Sequence, residues 1–300
     1  MHTSDLVVET AALTKRYRGG KLAVDSLDLK VRRGEIYGLV GPNGAGKTTT
    51  LRMLVGLIRP TSGSALVAGH RPGVPAGLRR IGAVIENPAF YTYLSGRDNL
   101  RVVAHYGGIA EGAVETALEE VDLLPAAKGR YGSYSLGMKQ RMGVAAALIK
   151  EPELLILDEP TNGLDPQGMV EMRELIKSLG AAGHTVLVSS HLLSEMQQIC
   201  DRFGVIQHGR LIAEDELADA RQAGLLIRGN PAGRVRVALE RVAGAKAIAV
   251  RDGAFMVNAD HVQAAEIHRA LVRAGVEITE LRPAERSLEE VFLEITGGRQ

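Results

Sequence analysis

The chain has 300 residues, of which 45% are hydrophobic, and its 36 basic and 35 acidic residues leave a net charge of +1. This length allows one large domain or a domain with an appendage, and the apolar content is ordinary for a globular protein. The balanced charge offers no basic surface for a polyanion, so we expect no nucleic acid partner. A single cysteine excludes an internal disulfide and a cysteine-built metal cluster.

The sequence also lacks the signals of a membrane-inserted or secreted protein. No uninterrupted apolar run approaches the roughly 18 residues that a transmembrane helix needs. The first residues include Asp5 and Glu9 and contain no apolar core of a secretory signal. We therefore expect a cytoplasmic chain that reaches a membrane only through a partner.

Short apolar stretches open the chain. Residues 6–13 and 22–31 have partly alternating apolar positions, which predict strands of an antiparallel sheet. The apolar stretch 36–40 predicts a further strand, and residues 49–55 predict the beginning of a helix. Between these two elements lies the sequence Gly-Pro-Asn-Gly-Ala-Gly-Lys-Thr at residues 41–48.

The spacing of residues 41–48, between a strand and a helix, is typical of a loop that binds the phosphates of a nucleoside triphosphate. Glycines let backbone N–H groups surround an anion, and the N-terminus of a helix adds partial positive charge. A chance glycine turn is the alternative. We expect Lys47 to reach the β- and γ-phosphates and the Thr48 hydroxyl to ligate Mg²⁺. The phosphate-binding residues are then Asn43, Gly44, Ala45, Gly46, Lys47, Thr48 and Thr49.

Strands and helices alternate through residues 81–212, which predicts a mostly parallel sheet with helices packed around it. The predicted strands are 81–85, 154–157, 185–189, 202–206 and 210–212, the last two joined by a hairpin turn at His208 and Gly209. The predicted helices are 95–121, 136–150, 166–182 and 192–200, with Asp98 and Ser135 as N-caps.

Four further side chains, three of them in this α/β region, are candidates for chemistry. Asp158 and Glu159 end a buried apolar strand, where one carboxylate can hold Mg²⁺ opposite Thr48 and the other can polarise an attacking water. A solvent-facing acid pair is the alternative. His191 follows the next strand at the sheet edge where ligands bind, although a lone histidine is more often structural. Tyr17 could stack on an adenine ring or simply pack.

The pattern changes after about residue 222. We expect an α/β domain over residues 1–221 and a small α+β accessory domain over 222–300, in which we find no chemical motif. The strands predicted there are 225–227, 247–250, 255–257 and 276–281. The predicted helices are 231–243, 261–274 and a capped amphipathic helix at 287–295.

Taken together, these motifs resemble those of the nucleotide-binding subunit of an ABC transporter, over about residues 5–220. The resemblance implies a P-loop NTPase core with an N-terminal antiparallel β subdomain and a helical signature subdomain. Residues 41–48 resemble the Walker A motif, and residues 154–159 resemble Walker B, with Glu159 as the catalytic carboxylate. Tyr17 is similar to the family's adenine-stacking aromatic residue.

Other loops of the family have similar counterparts here. His191 resembles the switch histidine, and residues 163–166, which include Asp165, resemble the D-loop. The family's Q-loop glutamine, a Mg²⁺ ligand and a hinge to the membrane partner, falls at Glu86. A carboxylate adds negative charge beside the phosphates but is also a stronger Mg²⁺ ligand, so we expect activity to survive this departure.

Residues 133–141 resemble the family's LSGGQ signature in a degenerate form. Ser135 and Gly137 are retained, whereas Leu136 and Met138 replace glycine and glutamine. In the family this motif caps the γ-phosphate of ATP held by the other subunit, so one complete set of motifs implies a homodimer. A simple capped helix start is the alternative for this segment.

The resemblance implies an ATP-hydrolysing subunit of a bacterial exporter, held on the inner face of the membrane through a separate permease. The Q-loop and signature variants resemble the bacitracin, lantibiotic and daunorubicin-type resistance ATPases, so the cargo is expected to be an antibiotic, a peptide or another hydrophobic compound. Two alternatives remain. One is a soluble ABC ATPase of translation or DNA repair, although paired cassettes and a long coiled coil are absent. The other is a non-cycling ATP-binding regulatory module.

Overall fold

The computed structural model describes residues 5–86, 88–216, 222–243, 248–251, 253–257 and 261–285. The chain divides into two compact units, Met1–Glu214 and Asp215–Gln300. Among the described helices, none combines the length and the apolar composition that crossing a bilayer requires.

An antiparallel sheet forms around the longest strand of the first unit. Strand β1 (Leu6–Arg16) pairs antiparallel with β2 (Leu22–Leu27), β3 (Lys30–Arg32) and β5 (Ser62–Val67). The single strand predicted over 22–31 is therefore wrong, because the chain breaks between β2 and β3. The buried Thr10 hydroxyl occupies this break, donating to the carbonyl of Leu27 and accepting from the N–H of Leu29.

The second sheet of this unit is the predicted, mostly parallel one. Its order is β10-β9-β4-β8-β7-β6, and β4 lies between β8 and β9 with parallel pairing on both sides. All residues of β4 and β8 are buried, as expected for central strands covered on both faces. The strands are β4 (Ile36–Val40), β6 (Ile81–Val84), β7 (Leu154–Asp158), β8 (Val186–Ser190), β9 (Arg202–Gln207) and β10 (Arg210–Glu216).

Helices pack around this sheet. They are α1 (Lys47–Leu54), α2 (Pro75–Leu78), α3 (Gly96–Gly107), α4 (Gly112–Glu120), α5 (Leu136–Leu148), α6 (Pro166–Ala181) and α7 (Leu193–Ile199). Helices α3, α4 and α5 contact one another and form the helical subdomain, whereas α1 buries Leu51 and Leu54 in the core between the two sheets. The α/β class and the subdomain arrangement are confirmed.

Two details of the helical region differ from the prediction. The helix expected over 95–121 is two helices, because Gly108 ends α3 in the left-handed conformation at φ 63°. Asp98 is not the N-cap of α3. Ser95 takes that position, and its Oγ accepts from the Asp98 N–H at 3.0 Å while donating to the Asp98 carboxylate at 2.5 Å. The predicted cap at Ser135 is confirmed, since its Oγ accepts from the N–H of Met138.

The second unit has the element order β-α-β-β-α-β. Its sheet runs β12-β13-β11-β14 with antiparallel pairs, which is the ferredoxin-like arrangement. The predicted helix at 287–295 lies outside the described residues. The elements are β11 (Gln222–Asn230), α8 (Ala232–Ala243), β12 (Ile248–Arg251), β13 (Ala254–Val257), α9 (His261–Arg273) and β14 (Glu277–Glu285).

Candidate nucleotide site

The glycine-rich loop joins the central strand β4 to α1. Gly44 and Gly46 lie in the left-handed region, at φ 80° and 113°, which favours glycine. A Cβ at Gly41 would lie 2.2 Å from the carbonyl oxygen of Ile206, so the loop passes against the end of β9 too closely for a side chain. Helix α1 begins at Lys47, two residues earlier than the sequence pattern indicated.

The N-terminus of α1 is built as an anion site. Within the described segment 5–86, α1 has glycine as its N-cap, no side-chain cap and no acidic residue in its first turn. The first N–H groups of a helix have no intrahelical partner, so those of α1 remain available to an anion. Helices α3, α5 and α6 differ, because Ser95, Ser135 and Asp165 cap them.

A cleft of about 250 Å³ opens at this helix N-terminus, and we refer to it as the Lys47 cleft. Its lining includes every predicted residue of the glycine-rich loop, together with Tyr17 and Glu159. Three further residues had not been predicted. The complete lining is Tyr17, Lys21, Ala23, Asn43, Gly44, Ala45, Gly46, Lys47, Thr48, Thr49, Glu159 and Asn162.

Two of the three unpredicted members enter the cleft through turns, whereas Ala23 lies in strand β2. Lys21 closes the turn that follows Tyr17, where its carbonyl accepts from the Tyr17 N–H at 2.9 Å. Asn162 closes the turn that follows Glu159, where its own N–H donates to the Glu159 carbonyl at 3.0 Å. In both cases the available sequence signal was a polar residue a few positions after a candidate residue.

Lys47 lies at the floor of the cleft, where its side chain is only 5% exposed. Its ammonium group donates to the carbonyl of Gly41 at 2.6 Å and to that of Pro42 at 3.3 Å. The third neighbour is the Glu159 carboxylate, 3.1 Å from Nζ. A buried ammonium needs such partners, and an arriving phosphate can replace the carboxylate among them.

Glu159 connects Lys47 to His191. Its second carboxylate oxygen lies 2.7 Å from Nδ1 of His191. The backbone of Glu159 has φ 49°, an uncommon conformation for a non-glycine residue, and Ser189 supports it by accepting the Glu159 N–H. The three predicted catalytic residues therefore form one continuous chain of contacts: a lysine, a carboxylate and an imidazole.

The side-chain oxygens of Asp158 and Thr48 are the candidate ligands for a metal ion. The Asp158 carboxylate accepts from the Ser189 hydroxyl at 2.5 Å, and Thr48 lines the Lys47 cleft. In the part of the chain that the structure describes, no group of three His, Cys, Asp or Glu side chains could hold a metal. Mg²⁺ bound together with phosphates needs only one or two protein oxygens, so this donor set fits Mg²⁺.

Glu86 lies elsewhere in the structure. It is not among the described residues that line the Lys47 cleft, and its side chain is 64% exposed. Its carboxylate forms an ion pair with Arg52 of α1. Its backbone is in the left-handed region at φ 69°. Of the three predicted metal ligands, only Thr48 lines the Lys47 cleft among the described residues, whereas Asp158 ends β7 and Glu86 follows β6.

Ser135, Gly137 and Asp165 lie together in a second cleft of about 610 Å³, which we call the Ser135 cleft. None of the described residues lines both clefts. Ser135 caps α5, and Asp165 caps α6 by accepting from the Gly168 N–H at 2.9 Å. The predicted nucleotide-binding residues thus form two clusters on one chain.

Comparison with known proteins gives a consistent result. The sequence matches the ABC transporter family over residues 24–162. The bacitracin transport ATP-binding protein BcrA of Bacillus licheniformis is 41% identical, covering 97% of this chain and 98% of that protein. The lantibiotic transport ATP-binding protein SrtF of Streptococcus pyogenes is 44% identical over 67% of this chain and 88% of its own. A solved ATP-binding subunit of an ABC transporter has a TM-score of 0.63 at 31% identity, over 71% of this chain and 91% of that one.

Proposed function

The chain belongs to the ABC transporter family as an ATP-binding subunit, and on that basis we propose that it hydrolyses ATP to power an exporter whose membrane subunit is a separate protein. One observation carries this proposal. Below an uncapped helix N-terminus, Lys47 contacts Glu159, and Glu159 contacts His191. Binding, base and positioning groups for phosphoryl transfer to water are therefore assembled in one place.

ATP binding uses the groups of the Lys47 cleft. The triphosphate lies against the N–H groups of the glycine-rich loop and the first turn of α1, and Lys47 exchanges the Glu159 carboxylate for phosphate oxygens. Tyr17, which is 38% exposed at the rim of the cleft, stacks on the adenine ring. Thr48 and Asp158 would hold a Mg²⁺ ion, directly or through water, and such an ion would supply positive charge to offset that of the phosphates.

Hydrolysis then depends on Glu159 and His191. Once Lys47 binds phosphate, the Glu159 carboxylate is released to accept a proton from the attacking water. His191 contacts Glu159 through Nδ1 and positions the γ-phosphate through its other ring nitrogen. General-base catalysis of this kind contributes about 10²–10⁴-fold to the rate.

The Ser135 cleft supplies the other half of the site. A hydroxyl and a backbone N–H where α5 begins are suited to a phosphate, but they lie in a different cleft from Lys47. We propose that two copies associate so that Ser135, Gly137 and Asp165 of each copy face the ATP bound by the other. The homodimer then contains two composite sites related by twofold symmetry.

The transport role follows from the relatives. The similar proteins are named for bacitracin and lantibiotic transport, and we propose export of an antibiotic, a peptide or another hydrophobic compound. The chain would lie on the inner face of the membrane through its permease, with residues 1–221 as the ATPase domain and 222–300 as an accessory domain. Co-purification with a membrane subunit supports this role, whereas co-purification with ribosomes favours a translation ATPase.

The direct test is Mg²⁺-dependent phosphate release from ATP by the purified chain. We expect Lys47→Ala to lower the rate by at least about 100-fold, because it removes the phosphate contact and disconnects Glu159. The control is Lys150→Ala, since Lys150 also donates to a backbone carbonyl, that of Leu78, but does not line the Lys47 cleft. Equal rates for the two variants, or a rate that is independent of Mg²⁺, would contradict the proposal.

A further inference from the structure

One buried carboxylate joins the two loops that carry the catalytic groups. Glu195 lies in the first turn of α7 and is 2% exposed. Its Oε2 accepts from the Thr161 hydroxyl at 2.7 Å and from the Ser190 hydroxyl at 3.3 Å. Thr161 follows Glu159 by two residues, and Ser190 directly precedes His191. A single oxygen atom thus links the chain segments of Glu159 and His191.

The setting of this carboxylate indicates a specific role. Thr161 and Ser190 are themselves 6% and 0% exposed, so water does not compete for either hydroxyl. The other carboxylate oxygen, Oε1, is buried without a hydrogen-bond partner among the residues that the structure describes. Keeping a carboxylate in such a place is costly, and a leucine of similar volume would fill the space without that cost. The hydrogen bonds to the two loops are what a leucine could not provide.

We propose that Glu195 is a positioning residue that fixes Glu159 relative to His191, an inference that rests on the catalytic roles proposed above. The Glu159 carboxylate and the His191 ring are 2.7 Å apart, and each is carried by a loop after a different strand. The strands β7 and β8 hold the starts of these loops in register, since Asp158 pairs with Ser189. Where these strands end, the shared Glu195 oxygen connects Thr161, in the loop after β7, to Ser190, the last residue of β8.

The consequence is kinetic. Among the described residues, Glu195 does not line the Lys47 cleft, so we expect its loss to leave the ATP-binding groups in place. Catalytic groups displaced by about 1 Å can lower a rate by roughly 10²-fold. Cutting the link should therefore lower kcat while the KM for ATP and the affinity for ATP remain close to those of the wild type.

Two isosteric substitutions test this. Thr161→Val removes the hydroxyl that binds Glu195. Thr185→Val is the matched control, because Thr185 is 4% exposed and its hydroxyl accepts from the Gly34 N–H at 2.9 Å, at the opposite end of β8 from Ser190. We expect both variants to lose similar thermal stability. Only Thr161→Val should lower kcat, on the order of tenfold or more with KM changed less than about twofold.

Rescue variants separate the hydrogen bond from packing. Thr161→Ser keeps the hydroxyl and should restore most of kcat, and Glu195→Gln keeps an acceptor oxygen and should be far more active than Glu195→Leu. Equal kcat for Thr161→Val and Thr185→Val, or a rise in KM alone, would overturn the positioning role. Glu159→Gln distinguishes failure of the positioning role of Glu195 from failure of the proposed catalytic roles. If it is inactive while Thr161→Val matches its control, only this inference fails, whereas a fully active Glu159→Gln overturns the catalytic assignment as well.

Discussion

The two clefts of the ATPase unit differ in whether side chains already cap the backbone N–H groups at their helix N-termini. In the Lys47 cleft, α1 starts at a glycine without a side-chain cap, and Lys47 and Glu159 face the open space. In the Ser135 cleft, Ser135 and Asp165 already cap their own helices. The cation there, Arg141, is held 2.6 Å from Glu171. We therefore propose that the first cleft holds a triphosphate in a single chain, whereas the second adds contacts to a nucleotide that a partner has already bound.

Of the substitutions that test this difference between the clefts, Glu159→Gln should have the largest effect on kcat. The amide cannot accept the proton of the attacking water, so we expect kcat to fall by at least about 100-fold. Affinity for ATP should be retained or should rise, because an uncharged side chain no longer competes with phosphate for Lys47. Phosphate release under multiple turnover and a nucleotide titration measure the two effects separately.

The same variant tests whether the second cleft completes a partner's site. With ATP bound but not hydrolysed, Glu159→Gln should accumulate as a dimer, seen as a doubling of mass by light scattering when ATP and Mg²⁺ are added. Lys47→Ala, which lacks the phosphate contact, should remain monomeric under the same conditions. A monomeric Glu159→Gln at saturating ATP would show that the Ser135 cleft does not act on a neighbour's nucleotide.

Ser135→Ala should have the next largest effect. Loss of a helix N-cap costs about 1 kcal/mol, so a modest fall in thermal stability is expected whatever the function. The matched control is Ser95→Ala, because Ser95 caps α3 in the same way with an Oγ that accepts at 3.0 Å. We expect similar losses of stability, and a fall in kcat of roughly tenfold to a hundredfold for Ser135→Ala alone.

The affinity for ATP gives the second measurement for this pair. Because Ser135 does not line the Lys47 cleft, nucleotide binding to the single chain should be unchanged in both variants. A loss of affinity in Ser135→Ala monomers would mean that the two clefts are coupled within one chain. Equal kcat values for the two variants would leave Ser135 with helix capping as its only role.

The glycine-rich loop and the helix caps that distinguish the two clefts could largely be predicted from the sequence, because they depend on residues adjacent in the chain. The glycine spacing of residues 41–48 directly reflects the left-handed backbone that the loop requires at Gly44 and Gly46. A serine before a helical segment sufficed to predict the cap of α5. The Gly107–Gly108 pair also carried a signal, because a glycine in the left-handed region commonly ends a helix, and this signal would have separated α3 from α4.

Contacts between distant segments could not be predicted in this way. Thr161 and Glu195 are 34 residues apart, and no pattern in either segment indicates the other. Arg52 and Glu86 are also 34 residues apart, and no sequence pattern indicated their ion pair. The prediction that Glu86 binds the metal therefore came from the family resemblance alone. Strand β5 was missed for a different reason. Four of its six residues are exposed, so it lacks the apolar alternation that indicates a strand.

The smallest expected effect concerns Glu86, which belongs to neither cleft in this structure. Its pair with Arg52 is exposed, and such pairs contribute only about 0–1 kcal/mol, so binding of ATP can readily separate them. If Glu86 then joins Thr48 and Asp158 at the metal, Glu86→Ala should raise the Mg²⁺ concentration for half-maximal ATPase activity by a few-fold. Glu86→Gln, which keeps an oxygen ligand, should raise it less.

Arg52→Ala is the control that separates a specific effect of Glu86 on Mg²⁺ binding from an unspecific disturbance of α1. Removing the arginine releases Glu86 without altering its carboxylate, so the Mg²⁺ requirement should stay the same or fall, whereas an unspecific disturbance of α1 would raise it. The Mg²⁺ dependence of phosphate release at fixed ATP measures all three variants. If Glu86→Ala leaves that dependence unchanged, Thr48 and Asp158 hold the ion without Glu86. The ion pair with Arg52 would then only hold the loop after β6 against α1.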